Sequence, residues 1–151
     1  MLHLNLSSPL SLYSIPVVWF LAFYPAEWRT LLIDGTIGYD NERPRGNLSI
    51  AKANKLSPEL ISKLERLDGA HLNGNEAFPL WAAAIIAANL VGVDNRTLNI
   101  ACLSYVGLRL LYNTIYINYN SALKGWLRTA VFFTGLSIPL WLLVKSANKL
   151  T

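Results

Sequence analysis

With 151 residues the chain suits one domain, and 53% of its residues are hydrophobic whereas only 15% are charged. Ordinary soluble domains carry about 25% charged residues, so the composition argues against a soluble protein and favours a membrane protein. The net charge of +4 comes without a Lys/Arg cluster, which argues against nucleic-acid binding. One cysteine and two histidines allow no internal disulfide and predict no metal site.

Four apolar segments follow one another, at about residues 10–33, 77–93, 98–119 and 126–144. A helix needs about 20 apolar residues to cross the hydrocarbon core of a bilayer, and each segment approaches that length. The connections 94–97 and 120–125 are short, which predicts that consecutive helices are antiparallel neighbours. We therefore predict one all-α integral membrane domain over residues 1–151, built as a bundle of four transmembrane helices.

The second helix is predicted to begin well before its apolar segment. Ser57-Pro58-Glu59 is typical of a helix start, with a serine cap, a proline in the first turn and an acidic residue near the positive end. The predicted helices therefore span about residues 10–33, 58–93, 97–120 and 126–147, and a long loop occupies residues 34–57.

The basic residues predict an orientation, because cytoplasmic loops carry an excess of Lys and Arg. The opposite side of the bundle has fewer of them, namely Arg96, Lys145 and Lys149. We therefore expect both termini on the lumenal or exterior side and the first and third connections in the cytosol. The basic residues of these two connections are Arg43, Arg45, Lys52, Lys55, Lys63, Arg66, Lys124 and Arg128.

The third helix carries a charge, Arg109, among Leu, Ile and Val. Since an α-helix advances about 100° per residue, several polar side chains fall within about 60° of Arg109. A charge at this depth normally faces a bundle interior or a wet cavity. The stripe is either an interhelical hydrogen-bond seam or the lining of a site. Its members are Tyr105, Tyr112, Asn113, Tyr116 and Asn120.

The second helix has a polar face just before it enters the apolar region. Arg66, Asn73 and Glu76 lie on one side of it, which suits a polar ligand, although a solvated first turn also explains Arg66. His71 points almost to the opposite side, where a structural hydrogen bond is the alternative to a catalytic role. Arg128 and Thr129 open the fourth helix, and anchoring at the headgroups is the alternative for Arg128.

These residues resemble the membrane-associated proteins in eicosanoid and glutathione metabolism, the MAPEG family. The resemblance covers about residues 35–147. Its motifs are Arg66-x-x-x-Ala70-His71-x-Asn73-x-x-Glu76-Ala77-Phe78-Pro79-Leu80, Arg109-x-x-Tyr112-x-x-x-Tyr116, Arg128-Thr129 and Asn41-x-Arg43-Pro44-Arg45.

The resemblance implies a four-helix subunit of the endoplasmic reticulum membrane, a homotrimer, and active sites between subunits that bind glutathione. Glu76 would bind the ammonium of glutathione, and arginines its carboxylates. A donor at Arg128 or Thr129 would lower the thiol pKa, so that the thiolate attacks a lipophilic electrophile. The residues implied to bind glutathione are Arg43, Arg45, Arg66, His71, Asn73 and Glu76, and those implied in catalysis are Arg109, Tyr112, Tyr116, Arg128 and Thr129.

Two departures from the family pattern keep other functions open. Gly69 and Leu72 stand where prostaglandin-synthase-like members place arginines, and the spacing from Tyr116 to Arg128 is longer than in the eicosanoid enzymes. The first hypothesis is a glutathione-dependent transferase, peroxidase or isomerase that acts on a hydrophobic molecule. The second is a glutathione-independent isomerase or cyclase that uses the same cleft, and the third is a non-enzymatic lipid-binding protein.

Overall fold

The chain folds into helices joined by short connections in the computed structural model, which describes residues 5–54, 56–118 and 121–150. Lys55, Asn120 and the side chain of Lys124, for which the sequence predicts a role, lie outside the described part. No strand occurs within these ranges. The α-helices are α1 (Ser14–Ile37), α2 (Asn47–Ala53), α3 (Pro58–Leu90), α4 (Asn95–Asn118) and α5 (Ala122–Ala147).

The start of α3 is the predicted one. Ser57 Oγ accepts a hydrogen bond from Leu60 N (3.3 Å), and Pro58 stands in the first turn, where its missing N–H is not needed. The first helix is displaced by four residues from its predicted position at residues 10–33, since it begins at Ser14 and ends at Ile37. Thr36 Oγ1 donates to Leu32 O (2.9 Å) within its last turn, and Gly38 then ends the helix with φ 78°.

The predicted loop 34–57 contains a helix that the sequence pattern does not indicate. Asn47 is buried, and its Nδ2 donates to Asp40 O (2.8 Å) and Pro44 O (3.1 Å). These bonds fold residues 40–47 into a compact turn from which the seven residues of α2 begin. Ala51 of α2 packs against Ile33 and Leu64 of the neighbouring helices, so α2 covers the ends of α1 and α3.

Helices α1 and α3 pack closely at Gly74. A methyl group at Gly74 would lie 2.6 Å from both Cα and Cβ of Ala22, so the two helices meet there without a side chain between them. An ion pair between Arg29 and Asp68 joins the same two helices nearer the predicted cytosolic end. Helix α3, which contributes side chains to the candidate site, is therefore packed tightly against α1.

Among the described helices, α4 and α5 are the two that are long and apolar enough to cross a membrane. Helix α5 turns large apolar side chains outward, among them Trp126, Phe133 and Val144. Exposed apolar surface of this extent marks a membrane or protein interface. Acidic and basic residues interrupt α1 and the first half of α3, so for these two helices the membrane-spanning role stays a prediction.

Candidate active site

A cleft of about 190 Å³ opens between α3, α4 and α5. The structure brings five of the predicted site residues together in it. The sixth lining residue, Phe132, has no polar signal in the sequence, but it follows Arg128 by four residues and so shares its helix face. The lining consists of Asn73 from α3, Tyr112 and Tyr116 from α4, and Arg128, Thr129 and Phe132 from α5.

The cation of the cleft stands over aromatic rings. The guanidinium carbon of Arg128 lies 4.5 Å from the centroid of the Tyr116 ring, within the range of a cation–π contact. The Tyr112 ring is 5.6 Å from Tyr116 and 5.8 Å from Phe132. Thr129 Oγ1 donates to Gly125 O (3.1 Å) within α5. Arg128 of α5 therefore contacts the Tyr116 ring of α4, and the Tyr112 and Phe132 rings extend the aromatic surface beside it.

Arg109 lies one turn before Tyr112 and is only 5% exposed. Its guanidinium carbon is 5.0 Å from the centroid of the Tyr112 ring, and its Nη2 has no hydrogen-bond partner among the described residues. No ion pair between described residues involves it. A buried cation without a counter-charge is costly. An acceptor group from a ligand or a neighbouring molecule would therefore be stabilised at Arg109.

Helix α3 supplies an amide to the cleft and carries a carboxylate one turn beyond that amide. Asn73 lines the cleft, and its Nδ2 donates to Gly69 O (3.0 Å), which fixes the amide plane. Glu76 is exposed one turn further along α3 and is not itself part of the cleft lining. A cationic group bound near Tyr112 would find its acceptor at Glu76.

Arg66 and His71 of the predicted set do not line the cleft. Arg66 Nε donates to Ile117 O (2.9 Å), so its charge lies at the carbonyl end of α4, where a cation is favourable. His71 Nδ1–H donates to Ala22 O (2.8 Å), and its Nε2 accepts from Asn75 Nδ2 (3.1 Å). Both side chains therefore join helices within the chain.

The polar stripe of α4 divides between the two interpretations. The ring of Tyr105 stacks on Trp81 of α3 with 4.0 Å between centroids, and Asn113 Nδ2 donates to Leu21 O of α1 (2.8 Å). These two side chains form an interhelical seam. Tyr112 and Tyr116, which share the stripe, line the cleft instead.

Arg43 and Arg45 lie on the exposed turn 40–47 and do not line the cleft. The carboxylate of Asp40 organises that turn. Its Oδ1 accepts from the backbone N–H groups of Glu42 (2.9 Å) and Arg43 (3.0 Å), and its Oδ2 accepts from Arg43 Nε (3.2 Å). The position of Arg43 therefore depends on the charge of Asp40.

Acid is expected to loosen this turn. The hydrogen bond from the Arg43 backbone, followed by that from Glu42, holds the pKa of Asp40 below its ordinary 3.8. A pKa lowered by folding means that the ordering is fully present above about pH 4 and is lost as the pH falls through the folded value. Hydrogen exchange of the Glu42 and Arg43 amides, relative to unfolded-chain rates, should show protection at about pH 6 that declines as the pH falls below about 4. Protection that persists at low pH would assign the order to Asn47 instead.

A family model provides the comparison with known proteins. The model of the MAPEG family matches residues 12–148, and so includes α1, which the motif resemblance does not cover. No curated protein and no solved structure matches the chain. Members of the family are membrane-associated and include transferases, isomerases and synthases. The match extends over nearly the whole chain and over every helix that builds the cleft, and the chain therefore belongs to the MAPEG family.

Proposed function

We propose that this protein is a membrane enzyme that uses glutathione, as a transferase, peroxidase or isomerase, on a lipophilic molecule that enters from the bilayer. The observation that carries the proposal is the convergence of a cation, two phenols, a hydroxyl and an amide from three helices on one cleft. Phe132 adds an apolar wall to the same cleft. A charged peptide requires the polar groups and a lipophile requires the apolar wall, so a site for both needs the two side by side.

Glutathione fits the charges around this cleft. Its carboxylates are matched by the guanidinium of Arg128 in the cleft and by that of Arg109, which lines a smaller adjoining pocket with Tyr112. The Nη2 of Arg109 has no partner among the described residues. Its ammonium is matched by the exposed carboxylate of Glu76. Asn73 would add an amide contact. A ligand without an anionic group would leave the buried charge of Arg109 uncompensated.

The side chains of the cleft would act on an anion. When bound, glutathione would supply a thiol as the nucleophile. Arg128, held over Tyr116, would lower the pKa of a neighbouring thiol because a nearby cation favours the thiolate. The phenols of Tyr112 and Tyr116 can donate hydrogen bonds to an oxygen on which negative charge develops. Phe132 would keep water from the reacting groups.

The setting proposed for this chemistry is a homotrimer in the endoplasmic reticulum membrane, with four spanning helices in each subunit. The apolar outward face of α5 and the two spanning candidates α4 and α5 support the membrane part. The excess of basic residues on the first and third connections supports lumenal termini and cytosolic placement of these two connections. A partner subunit would cover the open side of the cleft and bring a second set of polar residues to it.

A glutathione-independent isomerase or cyclase of a hydrophobic metabolite is the second candidate. Glycine and leucine stand at positions 69 and 72, where prostaglandin-synthase-like members of the family place arginines, and this favours a ligand with fewer anionic groups. In that case Glu76, Arg109, Tyr112 and Tyr116 would act directly on the metabolite as base, anion holder and acids.

Titration calorimetry of the purified protein with glutathione tests the proposal. We expect saturable binding, and a Tyr116→Phe variant should keep its fold while thiol transfer to a lipophilic electrophile falls roughly 10²-fold, since one donor to the developing charge is lost. Tyr13→Phe is the matched control, because Tyr13 is 70% exposed and lies outside the cleft. Absence of binding at millimolar glutathione would overturn the glutathione part, and turnover of a lipophile without thiol would favour the second candidate. A saturable lipid ligand without any turnover would identify a binding protein.

A further inference from the structure

Gly69 of α3 lies directly against the tyrosine at the end of α4. A methyl group at Gly69 would lie 2.9 Å from Tyr116 Cζ and 3.0 Å from its Cε1, and nearer still to the hydroxyl oxygen. Non-bonded carbon atoms do not pack this closely, so a methyl group at position 69 would force the Tyr116 ring to move. The Tyr116 phenol therefore occupies the space that any side chain at position 69 would need.

Tyr116 is held from two further directions. The guanidinium of Arg128 stands over the ring, 4.5 Å from its centroid. Arg66, one turn before Gly69, donates to the carbonyl of Ile117, the residue that follows Tyr116 (2.9 Å). The ring thus lies between α3 and α5 while its backbone is tied to α3. A displacement of the ring would displace the cation that rests on it.

We propose that Gly69 is a positioning residue whose missing side chain seats Tyr116 against α3, and that this seat sets where Arg128 stands over the cleft. Glycine inside a helix is unfavourable relative to alanine, so its presence in the middle of α3 calls for a packing reason. Tyr116 supplies that reason. For its effect on turnover the inference rests on the proposed function, whereas the seat itself does not.

A double-mutant cycle tests the seat. Gly69→Ala should lower the thermal unfolding midpoint of the purified protein by a few degrees, although alanine favours the helix. In a Tyr116→Leu background the same change should leave the midpoint unchanged or raise it, because the clashing atoms are gone. Tyr116→Phe removes the hydroxyl but keeps Cζ and Cε1, so it should retain part of the loss. Gly107→Ala in α4, where an added methyl meets nothing within 4 Å, is the matched control and should raise the midpoint.

Fluorine NMR of 3-fluorotyrosine incorporated at position 116 reports the environment of that ring, and the chemical shift of the folded protein does not change merely because the protein is less stable. The resonance should shift in Gly69→Ala and in Arg128→Gln, and should stay in place in Gly107→Ala. We also expect kcat for thiol transfer to fall several-fold in Gly69→Ala, with little change in KM for the lipophile. Equal stability losses in the wild-type and Tyr116→Leu backgrounds, or an unmoved resonance, would overturn the proposal. If the cycle and the resonance behave as expected but wild-type protein binds no glutathione, the proposed function fails and the seat stands.

Discussion

Arg109→Leu is expected to lower turnover roughly 10²–10³-fold while the thermal unfolding midpoint stays unchanged or rises. Arg109 is 5% exposed, and one nitrogen of its guanidinium has no partner among the described residues. Leucine at the same position would remove a desolvated charge, which commonly costs nothing or stabilises the fold. The loss of turnover would follow because Arg109 is the buried cation next to Tyr112, where a bound anion would find its counter-charge.

Arg66→Leu is the matched comparison for this result. Arg66 is partly buried and engaged in helix packing. Its Nε donates to Ile117 O (2.9 Å) and its Nη1 to Ser62 Oγ (2.6 Å). Its removal leaves the carbonyl end of α4 without a donor, so the midpoint should fall. The two arginines should therefore change stability in opposite directions, as measured by thermal unfolding in detergent. If Arg109→Leu unfolds the protein instead, Arg109 belongs to the interhelical seam and not to the site.

Helical spacing predicts much of the cleft because the residues that each helix contributes share one face of that helix. Tyr112 and Tyr116 are four residues apart on α4, and Arg128 and Thr129 lie in the second turn of the next helix, which follows a short connection. A short connection forces the two helices to be antiparallel neighbours, so these side chains must meet near the same end. The part of the site that lies within α4 and α5 can therefore be predicted from the sequence.

The contacts between side chains of different helices cannot be predicted in the same way. Spacing places Arg66 on the face of Asn73 and Glu76, yet its Nε donates to Ile117 O in the last turn of α4, where the helix's own N–H groups run out. Likewise the stripe on α4 divides into seam and site only because Trp81 covers Tyr105, whereas the cleft opens beside Tyr112. Depth and neighbours depend on how the helices cross, and helical period contains no information about that.

Close approaches at glycine show the same limit most clearly. Gly69 and Gly74 are five residues apart on one helix, and each is a point where another helix approaches very closely. In the sequence both look like weak positions in an otherwise helical stretch. Only the packed bundle shows that one seats a tyrosine and the other a neighbouring backbone, and the short helix α2 is similarly fixed by the buried amide of Asn47 rather than by a periodic pattern.

Gly74→Ala is expected to lower the free energy of unfolding by about 1–3 kcal/mol, the usual cost of an overpacked interior. The added methyl would lie 2.6 Å from Ala22 Cα, which is backbone and cannot move without displacing α1. This cost exceeds the gain of at most about 1 kcal/mol from replacing glycine in a helix. Thermal or denaturant unfolding of the purified protein measures the difference.

Two variants separate this packing effect from helix propensity. Gly107→Ala changes the same residue type inside a helix but in open space, so it should stabilise the protein. Ala22→Gly combined with Gly74→Ala removes the Ala22 methyl group but leaves the backbone carbon that carries it, which is also 2.6 Å away, so the rescue should be partial. Full rescue would mean that α1 and α3 meet only through side chains. If Gly74→Ala is as stabilising as Gly107→Ala, α1 and α3 do not approach each other there, and the rigid support that places Asn73 and Glu76 at the cleft is absent.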